Sequence, residues 1–154
     1  MKTTKRFDEA IKKLYNAFHK ETLNPKSCTQ CAVGNILDNK DFWKHLSDDH
    51  GSLQLNYVGL VNQNLGKRFN GYTPNELLQI ERKFLKSCGY KLPLRVNSNP
   101  KKPINKDVLF KGLSSVVTLL CKLDAIPNVM DCTELFQYKI TNSNKESLAL
   151  MNTM

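Results

Sequence analysis

The sequence predicts an all-α protein, a single compact multi-helix domain over residues 1–138 with a basic, proline-containing connector at 91–106. Three observations carry that expectation. Apolar residues recur at helical spacing around residues 5–20, 74–88 and 107–124. Start and stop signals bracket these runs. The one ambiguous stretch, 53–65, resolves to helix on its length.

Taken in order, Phe7, Ala10, Ile11, Leu14, Tyr15 and Phe18 form one stripe with Lys12, Lys13 and Asn16 opposite, which predicts an amphipathic helix over 5–20. Asn24-Pro25-Lys26 breaks the chain. Ser27 followed by Gln30 three residues later reads as a capping box, placing Cys28 at the first helical position of a short helix that runs to about Leu37. Phe42, Trp43 and Leu46 suggest another short helix, closed by the polar run Ser47-Asp48-Asp49-His50-Gly51. Tyr57, Leu60, Val61 and Leu65 fit a helix, although Leu53, Leu55 and Tyr57 alternate. Thr73-Pro74-Asn75-Glu76 is the clearest start signal: an N-cap threonine, proline at the first position and a capping-box glutamate. Leu77, Ile80, Phe84 and Cys88 follow on one face, and Gly89 closes the helix. After the connector, a long helix is expected from Asp107 to Asp124 with Leu109, Leu113, Val116, Val117 and Leu120 inward, then a final turn or two over Cys132–Tyr138. Residues 139–154 read as a frayed polar tail.

Composition bounds the function. With 154 residues, the chain suits one domain, and a two-domain enzyme does not fit. Its 40% hydrophobic and 24% charged content disfavours wholesale disorder and a collagen-like chain. The N-terminus lacks the apolar run of a secretory signal, and no stretch approaches the ~18 apolar residues of a membrane span. A cytoplasmic setting without membrane insertion is therefore expected, in which the five cysteines are free thiols, ligands or redox groups. There is no G-x-G-x-x-G, phosphate-loop lysine motif or H-E-x-x-H, and no catalytic constellation.

Cys28-Thr29-Gln30-Cys31 is the sharpest local feature, because thiols three apart on a helix can share a metal or pair with each other. At a helix N-terminus the dipole favours thiolate, so Cys28 is expected to be the more acidic. The run extends to C-x2-C-x13-H-x4-H through His45 and His50, which falls within zinc-ligand spacing. Cys28, Cys31, His45 and His50 are accordingly the candidate metal ligands, with zinc as the cofactor, and the Trp43–His50 loop is the candidate functional surface. A ββα finger is disfavoured, since a capped helix replaces its hairpin. Four aspartates against two lysines between Asp38 and His50 also oppose major-groove reading. The bland alternative is that Cys31 and Cys88 are small buried hydrophobes and the histidines polar partners near Trp43. Cys121 reads as core, and His19 as a partner for the last carbonyls of its helix.

The chain carries 23 Lys and Arg against 14 Asp and Glu, a net charge of +9 concentrated in residues 2–20 and 91–106. Such a field suits RNA, DNA or an acidic protein as partner. The connector has no aromatic residue to stack a base, which weakens the nucleic-acid reading.

As a set, Arg6-Phe7-Asp8, Tyr15-Asn16-Ala17-Phe18-His19, Cys31 to Asn39 and Trp43 to Leu60 resemble a group of short Bacteroidota proteins. These carry an inherited name, that of the electron-accepting component of Na⁺-translocating NADH:quinone reductase. The likeness covers residues 6 to about 138. The name implies flavin and iron–sulfur chemistry, which needs several hundred residues and a C-x4-C-x2-C run. This chain has neither, so no catalytic residue carries over. The function expected from sequence is a non-enzymatic accessory protein binding a metal through its Cys-x-x-Cys. An RNA/DNA-associated basic adapter and a redox accessory protein related to NADH:quinone reductase are the alternatives.

Overall fold

In the computed structural model the described residues are 3–92, 104–127 and 132–138. Among them the chain is all-α: helices α1 (Lys5–His19), α2 (Ala32–Ile36), α3 (Tyr57–Asn64), α4 (Pro74–Ser87), α5 (Lys106–Leu123) and α6 (Cys132–Leu135), with a 3₁₀ helix at Phe42–Leu46 between α2 and α3. The described residues contain no strand, only an isolated antiparallel bridge between Phe69 and Tyr72. No helix among them is long and apolar enough to cross a membrane.

The helix ends follow the sequence signals closely where side chains can cap. Thr73 accepts from the Glu76 amide and Glu76 answers to the Thr73 amide, completing the capping box at α4. Gly89, at φ +97, ends α4 with the Tyr90 and Gly89 amides bonded back to Leu85 and Lys86 carbonyls. Asn105 caps α5, which begins at Lys106, one residue before the expected start.

α4 and α5 make the most extensive helix contact. Their close approach depends on Gly112, where a Cβ would stand 2.7 Å from Cys88 Sγ and 2.9 Å from the Phe84 ring. A 2.7 Å bond between Ser87 and Ser115 hydroxyls ties the same pair. α1 lies across α2 and α5, and α2 packs on α4. Leu14, Ile36, Leu77, Ile80, Leu113 and Leu120 meet in one fully buried cluster. Each such side chain contributes about 2 kcal/mol of burial. Cys31, Cys88 and Cys121 belong to the same core, as small hydrophobes. Leu109 is half-buried; Phe110 takes the inward position beside it.

Arg6 joins three helices at one corner. Its guanidinium donates to Asp124 after α5, to Glu76 in the first turn of α4 and to the Gly71 carbonyl, and it lies 4.5 Å over the Tyr72 ring. Burial alone would lower its pKa, but the bonds to Asp124 and Glu76 more than offset that and raise it. His19 does not serve its own helix end as expected: its Nε2 bonds the Phe136 carbonyl at 2.5 Å, holding the segment after α6 against α1.

Two expectations are corrected. α2 starts at Ala32 with Cys31 as N-cap, so Ser27 is not a helix cap and Cys28 is not in a helix. The Phe42–Leu46 segment winds as 3₁₀ rather than α. Most of the basic connector, residues 93–103, and the expected tail, 139–154, lie outside the described residues.

Candidate functional site

The loop that carries Cys28 is fixed by its own backbone and by α2. Gln30 and Cys31 amides both bond the Ser27 carbonyl, and the Asn24 amide bonds the Gln30 carbonyl, folding 24–31 into a tight turn. Asn35 Nδ2 donates to the Gln30 and Cys31 carbonyls at 2.9 Å, and Asn39 Nδ2 to that of Thr29 at 2.8 Å. α2 presses directly on this turn because residue 34 is glycine: a Cβ there would lie 2.4 Å from the Cys28 oxygen. That oxygen receives the Trp43 indole N–H at 3.0 Å.

Trp43 connects the cysteine turn to the next loop, its ring meeting the His50 ring edge-on at 5.5 Å between centroids. The 47–52 loop then docks on α4 through successive residues. Glu81 accepts from His50 Nε2 at 2.7 Å, and Arg82 donates to the Gly51 carbonyl at 3.2 Å. Asn56, the N-cap of α3, closes the opposite side by donating to the His45 carbonyl and to Asp48.

These elements enclose a cleft of about 600 Å³, lined by Cys28, Trp43, His45, His50, Leu78 and Glu81, with Lys44, Asp48, Asp49 and Asn56 also on its wall. That volume is typical of small-molecule sites. Glu81 is the unusual group in it. Its side chain is 1% exposed, one oxygen is bonded to His50, and the other, Oε1, has no hydrogen-bond partner. The nearby Cys31 thiol is too weak a donor to compensate the charge. A buried carboxylate oxygen in that position costs free energy that an ordinary core position would not carry.

Both thiols feel that charge. Burial pushes the Cys28 thiol up and Glu81 adds to it; Lys44 opposes more weakly. Cys31 is raised well above the usual thiol range by burial first and Glu81 second, although the Gly34 amide bonds its sulfur at 3.3 Å. The acidic Cys28 expected at a helix N-terminus is therefore reversed. Cys28 is outside the helix, and the dipole serves Cys31, which is sealed.

Cys28, His45 and His50 line the same cleft, whereas Cys31 is fully buried as the cap of α2. Among the described residues no three His, Cys, Asp or Glu side chains stand close enough to hold a metal ion. The cleft also uses Glu81, which belongs to no recognisable motif. Its signal is present in sequence: four residues after Leu77 and three before Phe84, a lone carboxylate interrupts the apolar stripe of α4. No protein-family model, no curated protein and no solved structure matches the chain.

Proposed function

We propose that this protein binds a small polar molecule in the cleft between the 24–31 turn, the Trp43–Ser52 segment and α4, with His50 as the group that meets it. The observation that carries the reading is the buried Glu81 carboxylate holding a partly exposed imidazole in the cleft wall. A carboxylate accepts only, so the bonded nitrogen, Nε2, carries the proton, and Nδ1 of the neutral ring is left as an acceptor. Glu81 thus sets both tautomer and orientation. Trp43 and Leu78 supply the apolar wall. The same imidazole arrangement suits recognition of a donor and acceptance of a proton.

The zinc reading of Cys28, Cys31, His45 and His50 asks more of the fold. Cys31 would have to abandon the α2 cap and leave the core, and His45 and His50 would have to converge. An organic ligand needs neither change.

A fragment screen by NMR tests the proposal. Binders are expected to shift the Trp43 indole N–H resonance, and His50→Gln should abolish those shifts while the protein stays folded. Binders that perturb only distant residues, or that bind His50→Gln equally well, would remove the site.

A further inference from the structure

The class of ligand can be narrowed, on the assumption that the cleft is the binding site. Its wall carries three carboxylates, Asp48, Asp49 and Glu81. The lysine on it, Lys44, is already paired with Asp41 outside the wall at 3.0 Å. The wall is therefore acidic on a chain whose net charge is +9. At physiological salt the distant lysines are screened beyond about 8 Å, so the local carboxylates set the potential a ligand meets. Asp48 and Asp49 are exposed and hydrated, and alone they would signify nothing. Glu81 is different: it is sealed from water, and its Oε1 has no partner, so its charge is neither solvated nor fully compensated at the cleft floor.

We infer that the cleft takes an organic ammonium, a small molecule whose protonated amine sits against His50 above the Glu81 carboxylate while its alkyl portion lies on Trp43 and Leu78. An amine supplies the two things that this floor lacks, a positive charge and N–H donors. An inorganic cation fits less well, because no three ligating side chains among the described residues converge. An anion would face the three carboxylates.

The test uses four probes of matched size on the full chain at pH 7.5: n-butylammonium, 1,4-diaminobutane, butan-1-ol and butyrate, with zinc chloride as a fifth arm, each followed through the Trp43 indole N–H resonance. The two amines should give saturable shifts at least about tenfold tighter than butanol, with butyrate and zinc weaker still. Glu81→Gln should weaken amine binding about tenfold or more. Because that variant can lose stability, the exposed pair Asp48→Asn and Asp49→Asn is run beside it and should weaken amines severalfold without affecting butanol. Butanol or butyrate binding as tightly as the amines would overturn the ammonium assignment and leave the cleft as a site. Tightest binding by zinc would overturn it in favour of the metal. Absence of a cleft shift with all five probes would overturn it as well, and a fragment screen equally silent at Trp43 would separately remove the cleft.

Discussion

Glu81 on α4 and His50, 31 residues earlier, share a 2.7 Å hydrogen bond in which the carboxylate is almost sealed and the imidazole reaches the cleft. The bond fixes a loop to a helix and leaves one carboxylate oxygen unmatched.

Removing one member of this pair should cost more than removing both. His50→Ala strands a buried charge, and a loss of about 3 kcal/mol is expected; Glu81→Leu in the same chain should recover most of it, since an apolar pair of similar volume avoids the desolvation penalty. Urea unfolding of the two single variants and the double variant measures the coupling. Additive losses would show that the pair does not act as a unit.

Gly34→Ala places a methyl 2.4 Å from the Cys28 carbonyl oxygen, and backbone atoms of Cys28 and Thr29 cannot rotate aside as a side chain would. A loss of about 2–3 kcal/mol is expected. Displacement of the turn should also break the Trp43 bond to the Cys28 oxygen, so the near-ultraviolet circular dichroism of Trp43 should change. An unchanged spectrum with unchanged stability would contradict this packing.

Arg6→Lys keeps the charge but loses the planar fork that spans Asp124, Glu76 and the Gly71 carbonyl. Destabilisation of about 2 kcal/mol is expected, read as a lower urea midpoint at constant slope. The effect should be partly shared with Thr73→Ala, because Glu76 serves both the α4 cap and Arg6.

The buried thiols make the fold sensitive to alkali. Burial raises Cys88 from the ordinary thiol value of 9.0 to about 12, with Glu81 adding to the shift. Between those values the unfolded chain has released its thiol proton and the folded chain has not, so unfolding is favoured as pH rises. The contribution is complete below about pH 9 and lost on the way to 12. Cys31 and Tyr72, raised by burial first, act in the same direction. Melting temperature should therefore fall above pH 9, and less steeply in Cys88→Ala once compared with that variant's own neutral value.

Cys28 should alkylate slowly at neutral pH. Its thiol is raised by burial and by Glu81, so the rate with iodoacetamide should climb only above the usual thiol range. Glu81→Gln should move that climb to lower pH. A fast neutral reaction would mean that the thiol is not held in its protonated form.

The helices were legible because their information is local. Thr73-Pro74-Asn75-Glu76 supplies its own cap, and the stripes of α1 and α4 repeat at the period of the helix. Cys28 and Cys31 were also visible as a pair, and His45 and His50 as neighbours. What sequence spacing could not decide was which groups face one another. Ser27 and Gln30 satisfy a capping pattern, yet Gly34 lets α2 close on the Cys28–Thr29 backbone, and the cap passes to Cys31. Glu81 became part of the site only through α4 packing beneath the 47–52 loop, a contact between segments 31 residues apart. Caps and stripes are set by neighbours within a turn, while the cleft, the buried charge and the raised thiols arise from distant segments excluding water together; the first the chain determines by itself, the second only the assembled fold.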